Sequence, residues 1–106
     1  MTAATTHAPV LVSEPSHWLR DRAGAQLRRL RALGMDPHAE EGPVIIAPLA
    51  GTLPAPGARA DRTCDRCGLY CPPGVMFWPL AHRPTHRVML VGGLCGEHAR
   101  AEGVGA

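Results

Sequence analysis

The chain has 106 residues, 45% of them hydrophobic, but only one Phe, one Tyr and two Trp, with Gly 12 and Pro 11. Side chains large enough to fill a core are scarce, so one small loop-rich domain that needs a staple is the expected unit. The formal charge of +2 falls short of what a strongly basic nucleic-acid binder carries, and the basic residues, 11 Arg with no Lys, accompany a high-GC composition rich in Ala, Gly and Pro.

Residues 1–12 read as a flexible or weakly extended arm. No basic-then-apolar run there resembles a signal peptide, and no stretch approaches a membrane span, so cytosol is the expected compartment. Residues 13–35 form an amphipathic helical unit. Ser13 or Ser16 can cap it, and Pro15 suits a first turn. The helix runs over 16–33, with Leu19, Ala23, Leu27 and Leu30 at i, i+4, i+8 and i+11, flanked by Trp18 and Leu33. Gly34 closes it, and Asp36-Pro37 prevents continuation.

Residues 36–60 are a Pro/Gly-rich connector. Within it Val44, Ile45, Ile46 and Ala47 make a short strand between Pro43 and Pro48, and 51–57 is a linker or crossing loop. Residues 61–106 carry the remaining elements. A hairpin with arms at 75–80 and 86–91 turns through Pro84, Gly92-Gly93 breaks it, and a short helix over 94–102 presents Cys95 and His98 on one face.

Two ligand pairs bracket that hairpin. Cys64-x-x-Cys67 precedes it, and Cys95-x-x-His98 follows after 27 intervening residues. Paired i, i+3 donors from two turns close a tetrahedral zinc site, and Gly68 stands where a zinc knuckle takes a positive φ. Metal is preferred to two disulfides because of the paired spacings and the expected reducing compartment. Cys71 is a spare thiol that could replace His98. His98 is preferred because helical spacing aims it at the same metal as Cys95, whereas Pro72-Pro73 carries Cys71 away; the alternative role for Cys71 is a small buried hydrophobe. An iron–sulfur cluster is disfavoured, since C-x2-C-x3-C matches neither standard ferredoxin spacing. With three thiolates and one Zn2+, the net charge falls to about +1.

Knuckle, hairpin and a helix with the second ligand pair is the order of a treble-clef zinc finger, so the expected class is a small zinc-stabilised α+β fold. The chain resembles small treble-clef or zinc-ribbon-like zinc-finger proteins of high-GC bacteria and their phages. The same 40-residue region resembles HNH endonucleases, which share the scaffold; that resemblance implies a catalytic metal held at the hairpin. Here His82 and His86 flank a Pro-containing turn, no acidic-His pair adjoins them and Asn is absent, so they read as solvated turn histidines.

The reading that follows is a non-enzymatic zinc protein that binds nucleic acid or a nucleic-acid-handling machine such as RNA polymerase. The rivals are an HNH-type nuclease and an assembly component with a zinc-stabilised surface. Candidate contact residues are Arg20, Arg22, Arg28, Arg29 and Arg31 on the helix, set against Glu14 and Asp21, together with Trp78, the outward aromatic of the Phe77-Trp78 pair. The bland alternative for the arginines is the solvated side of a packed helix.

Overall fold

The computed structural model of the chain describes residues 9–50 and 62–104; most of the expected arm and the stretch 51–57 lie outside them. The elements are β1 (Val10–Leu11), α1 (His17–Ala32), β2 (Ile45–Pro48), β3 (Phe77–His82), β4 (Val88–Cys95) and α2 (Gly96–Ala101). They build a mixed α+β unit around one four-stranded sheet, in the order β1-β3-β4-β2. No helix among the described residues is long and apolar enough to cross a membrane.

Helix α1 starts where its hydrogen-bond chemistry lets it. The Ser16 hydroxyl oxygen accepts from the Leu19 N–H, satisfying one of the free donors of the first turn. At the other end Leu33 is the cap, the Gly34 N–H bonds the Arg31 carbonyl and the Met35 N–H reaches back to Leu30. Gly34 has φ +87°, so the chain leaves the helix through a Schellman-type turn. The buried face consists of Leu19, Ala23, Gln26 and Leu30. Leu27 is only partly buried and Leu33 is 52% exposed, so the stripe expected from apolar periodicity is rotated toward Gln26. Hydrophobicity alone could not have placed it. Gln26 lies inside because its Nε2 donates 2.7 Å to the Pro48 carbonyl, which meets the cost of burying an amide.

The same bond explains how the β2 edge is finished. Strand β2 pairs in parallel with β4, Ile45 against Val88 through Pro48 against Val91. Ile45 and Leu49 donate inward to the Arg87 and Val91 carbonyls, so Ile46 and Pro48 point their backbone groups outward. Pro48 has no N–H to offer, and Gln26 occupies its carbonyl. Little of that edge remains for another strand to pair with.

The hairpin lies further along the chain than expected. Strands β3 and β4 pair antiparallel from Phe77–Cys95 to His82–Leu90, and Gly92-Gly93 runs through the strand rather than breaking it. The glycines are there for close approach. A Cβ on Gly93 would overlap the Phe77 ring, and one on Gly92 would overlap the Asp65 carboxylate and approach Leu49 Cβ to 2.9 Å. Pro79 is tolerated in β3 because it faces Gly93, whose own N–H and carbonyl are engaged by Asp65 on the opposite side. The sheet face formed by Leu80, Val88, Leu90 and Leu94 meets Leu19, Ala23 and Leu30 of α1 in one core. On the opposite face Leu11 and Ile46 are 58% and 61% exposed.

The last residues of the expected arm are part of this sheet. Strand β1 pairs in parallel with β3, and the Val12 N–H donates to the Ala81 carbonyl. His82 completes the attachment, and here the sequence reading is corrected. It is 8% exposed rather than solvated, and its Nδ1 lies 2.8 Å from the Val12 carbonyl. A carbonyl can only accept, so Nδ1 carries the proton. His86 remains exposed in the turn.

Candidate metal centre

The two ligand pairs arrive from different kinds of backbone. Residues 62–71 fold back on themselves as a knuckle. Thr63 bridges Tyr70, the Cys64 N–H donates to the Leu69 carbonyl, and the Gly68 N–H donates to the Cys64 carbonyl at 2.9 Å. Gly68 has φ +80°, the left-handed turn that lets Cys67 follow Cys64 onto the same side. Cys95 is not in the helix, as the spacing suggested, but ends β4 and caps α2, with φ −69° and ψ 167°. His98 lies in the first turn of α2. A strand end followed by one helical turn brings the pair together as well as two helical positions would.

Cys64, Cys67, Cys95 and His98 converge, with one donor atom from each within 4.8 Å of every other. The separations suit a metal. Cys64 Sγ lies 3.6 Å from His98 Nδ1, Cys95 Sγ lies 3.4 Å from the same nitrogen, and Cys67 Sγ lies 4.0 Å from Cys95 Sγ. A tetrahedral Zn2+ with ordinary bond lengths places S···N edges at about 3.5 Å and S···S edges at about 3.8 Å. The donor set therefore fits, with Nδ1 as the imidazole ligand atom. All four cysteines are free thiols. Cys71 is fully buried, belongs to the apolar core and is not in the cluster, so His98 rather than Cys71 completes it.

The knuckle is fastened to β4 by Asp65. Its N–H donates to the Gly93 carbonyl at 2.9 Å and its Oδ2 accepts from the Gly93 N–H at 2.8 Å. The outer side of β4 is thus divided, β2 holding Val88–Val91 and the knuckle holding Gly93. Arg62 clamps the far side, with Nε on the Cys71 carbonyl, Nη2 on the Val75 carbonyl and its guanidinium 5.4 Å from the Phe77 ring centroid. Phe77 and Trp78 are both half-buried against the core, which leaves only part of the Trp78 surface for an external contact.

Thiol ionisation is already prepared at one ligand. Burial raises the Cys64 thiol, but backbone N–H groups of Cys95, Cys67 and Arg66, with His98, overcome it and lower its pKa from 9.0 to about 6. Cys67 moves upward: the Leu69 backbone N–H lowers it, but burial and the neighbouring Cys64 and Cys95 sulfurs outweigh that effect. Burial also raises Cys71. The sign for stability follows. A depressed folded pKa at Cys64 stabilises the metal-free fold in full above pH ~9, and that contribution disappears as pH falls through about 6.

Sequence reasoning missed Asp65, Arg66, Gly92, Gly93 and Glu102 as supports of this site. Only the Gly-Gly pair carried a local signal, and it was open to the opposite reading. None of the helix arginines belongs to the cluster. Arg20, Arg28 and Arg31 are exposed, Arg22 is half-buried, and Arg29 is exposed but donates from Nη1 to the Gln26 amide oxygen at 3.2 Å.

Comparison of the chain with protein-family models, with curated proteins and with solved structures found no match. The class that fold and site define is accordingly the coarse one: a small mixed α+β protein with a Cys3His cluster able to hold a metal ion.

Proposed function

We propose that this protein is a non-enzymatic module built on a structural Zn2+, and that α1 presents it to the phosphate backbone of a nucleic acid, alone or within a nucleic-acid-handling machine. The ion is Zn2+ on ligand chemistry: three thiolates and an imidazole at tetrahedral spacing are the donors zinc takes in structural sites. Four protein ligands fill the tetrahedron and leave no position for an activated water, which supports a structural over a catalytic role. His82, engaged with the Val12 carbonyl, is poorly placed for the metal-activating task an HNH nuclease would give it.

The observation that carries the binding reading is the arginine row on α1. With Leu19, Ala23, Gln26 and Leu30 buried, Arg20, Arg28 and Arg31 share the opposite, exposed side. Arg28 and Arg31 are i, i+3 neighbours of like charge, and the one acid on the helix, Asp21, pairs with His17 instead. Such a row spans roughly 16 Å of helix axis and costs stability unless an anion lies along it.

Electrophoretic shift of a mixed-sequence 20-mer, single- and double-stranded, across a salt series tests the proposal. The Arg28→Glu, Arg31→Glu double mutant should bind at least tenfold more weakly and show a flatter salt dependence. Arg29 is left intact because it also holds Gln26. Equal affinity in wild type and double mutant would remove the helix from the interface, and failure of the wild type to bind either strand form would shift the role to a protein partner.

A further inference from the structure

Arg66 stands inside the Cys64-x-x-Cys67 loop and faces two ways. Its backbone is part of the turn that joins Cys64 to Cys67. Its side chain leaves the knuckle altogether: Nη1 bonds Glu102 Oε2 at 3.0 Å, and the guanidinium lies 5.4 Å from the centroid of the Trp18 ring in the first turn of α1. Glu102 is the C-cap of α2, its N–H bonded to the His98 carbonyl, and its side chain is fully buried. The same Oε2 accepts the Ser16 hydroxyl proton at 2.7 Å, while the Ser16 oxygen accepts from Leu19 as the N-cap of α1. One carboxylate oxygen therefore joins three elements: the knuckle through Arg66, the ligand helix through its own backbone, and the start of α1 through Ser16. The other oxygen, Oε1, is buried with no hydrogen-bond partner, so the carboxylate depends on what Oε2 holds.

We propose that metal occupancy of the knuckle controls the docking of α1, with Arg66, Glu102 and Ser16 as the coupling and Trp18 as the surface that Arg66 grips. The inference rests on the Cys3His cluster binding metal and deepens the reading of α1 as the contact helix. When Cys64 and Cys67 are held on the ion, the loop between them has one conformation, and Arg66 is aimed at Glu102 and Trp18. When the ion leaves, that loop loses its anchor. Glu102 then loses its cation, and the cap of α1 loses its acceptor. The arginine row is thereby presented to a partner only by the metal-loaded protein, so partner binding follows metal availability.

Thermodynamic reciprocity supplies a test that needs no partner. If metal tightens α1, then loosening the N-terminal end of α1 must weaken metal binding, although no residue there touches the ligands. Zn2+ affinity of the full chain is measured by competition with a chromophoric chelator. Trp18→Leu and Glu102→Gln should each lower it about tenfold. Leu30→Val, which loosens the far end of α1, serves as the control for general destabilisation and should lower it less than threefold at a matched fall in melting temperature. In an Arg66→Gln background the additional effect of Trp18→Leu should vanish, since the shared contact is already lost. Losses equal to those of Leu30→Val, or additivity with Arg66→Gln, would overturn the coupling. Failure of the wild type to bind Zn2+ would instead overturn the metal reading on which it stands.

Discussion

Replacement of Cys64 by Ser is expected to abolish stoichiometric zinc binding and to leave residues 62–104 without a cooperative fold. Cys64 is 1% exposed and contributes to two systems at once. As a ligand it occupies one corner of the Cys3His cluster, and as a thiolate it collects backbone N–H groups from Cys67, Arg66 and Cys95. A structural zinc in a small module contributes roughly 10–16 kcal/mol of apparent binding free energy. That is comparable to the ~5–15 kcal/mol by which a whole domain is stable. The aliphatic core, essentially Leu19, Leu30, Leu49, Leu80, Val88, Leu90 and Leu94, is too small to replace it. Elemental analysis should find one zinc per chain in the wild type, and chelation should reproduce the circular-dichroism loss of Cys64→Ser. Cys71→Ala should retain its zinc, because Cys71 is a buried core residue outside the cluster. Zinc lost in Cys71→Ala but kept in His98→Ala would reverse the ligand assignment.

Gly92→Ala should be strongly destabilising for a single added methyl, at about 2–4 kcal/mol. The added Cβ would meet the Asp65 carboxylate and Leu49 Cβ together. Asp65 cannot simply swing away, because its Oδ2 holds the Gly93 N–H and its own N–H holds the Gly93 carbonyl. Displacement would leave backbone groups of β4 unpaired and move the segment that carries Cys64. The expected result is a lower melting temperature together with weaker zinc affinity, read on the same sample. Asp65→Ala in the Gly92→Ala background should recover part of the stability by removing the overlap, while zinc affinity stays low because the latch is gone. A Gly92→Ala protein with wild-type melting temperature would show that the knuckle does not sit against β4 at this point.

Several features of the chain could be read from neighbours in sequence. The Cys3His cluster was legible because its members come as two i, i+3 pairs, and Gly68 marks the knuckle turn by its φ of +80°. The caps of α1 were legible for the same reason, since Ser16 and Gly34 act within one turn of the helix. Features set by approach across the fold were not legible. Gly92-Gly93 reads as a break, yet β3 holds it in the ladder and Asp65 and Phe77 occupy the space where side chains would be. His82 reads as a turn residue, yet the shifted hairpin places it in β3 against Val12, seventy positions away in the chain.

Glu102 and Gln26 make the same division sharper. Each is polar, and a local rule sends each to solvent. Each is buried beside a partner far off in sequence: Arg66 and Ser16 on one oxygen of the carboxylate, the Pro48 carbonyl for the amide. The sequence by itself determined the donor set, the capped helix and the shortage of large core side chains, since these depend on residue type and short spacing. The tertiary structure decided the register of the hairpin, the rotation of α1 about its axis and the link from knuckle to helix. Those depend on hydrogen bonds and close contacts between segments that no local pattern brings together.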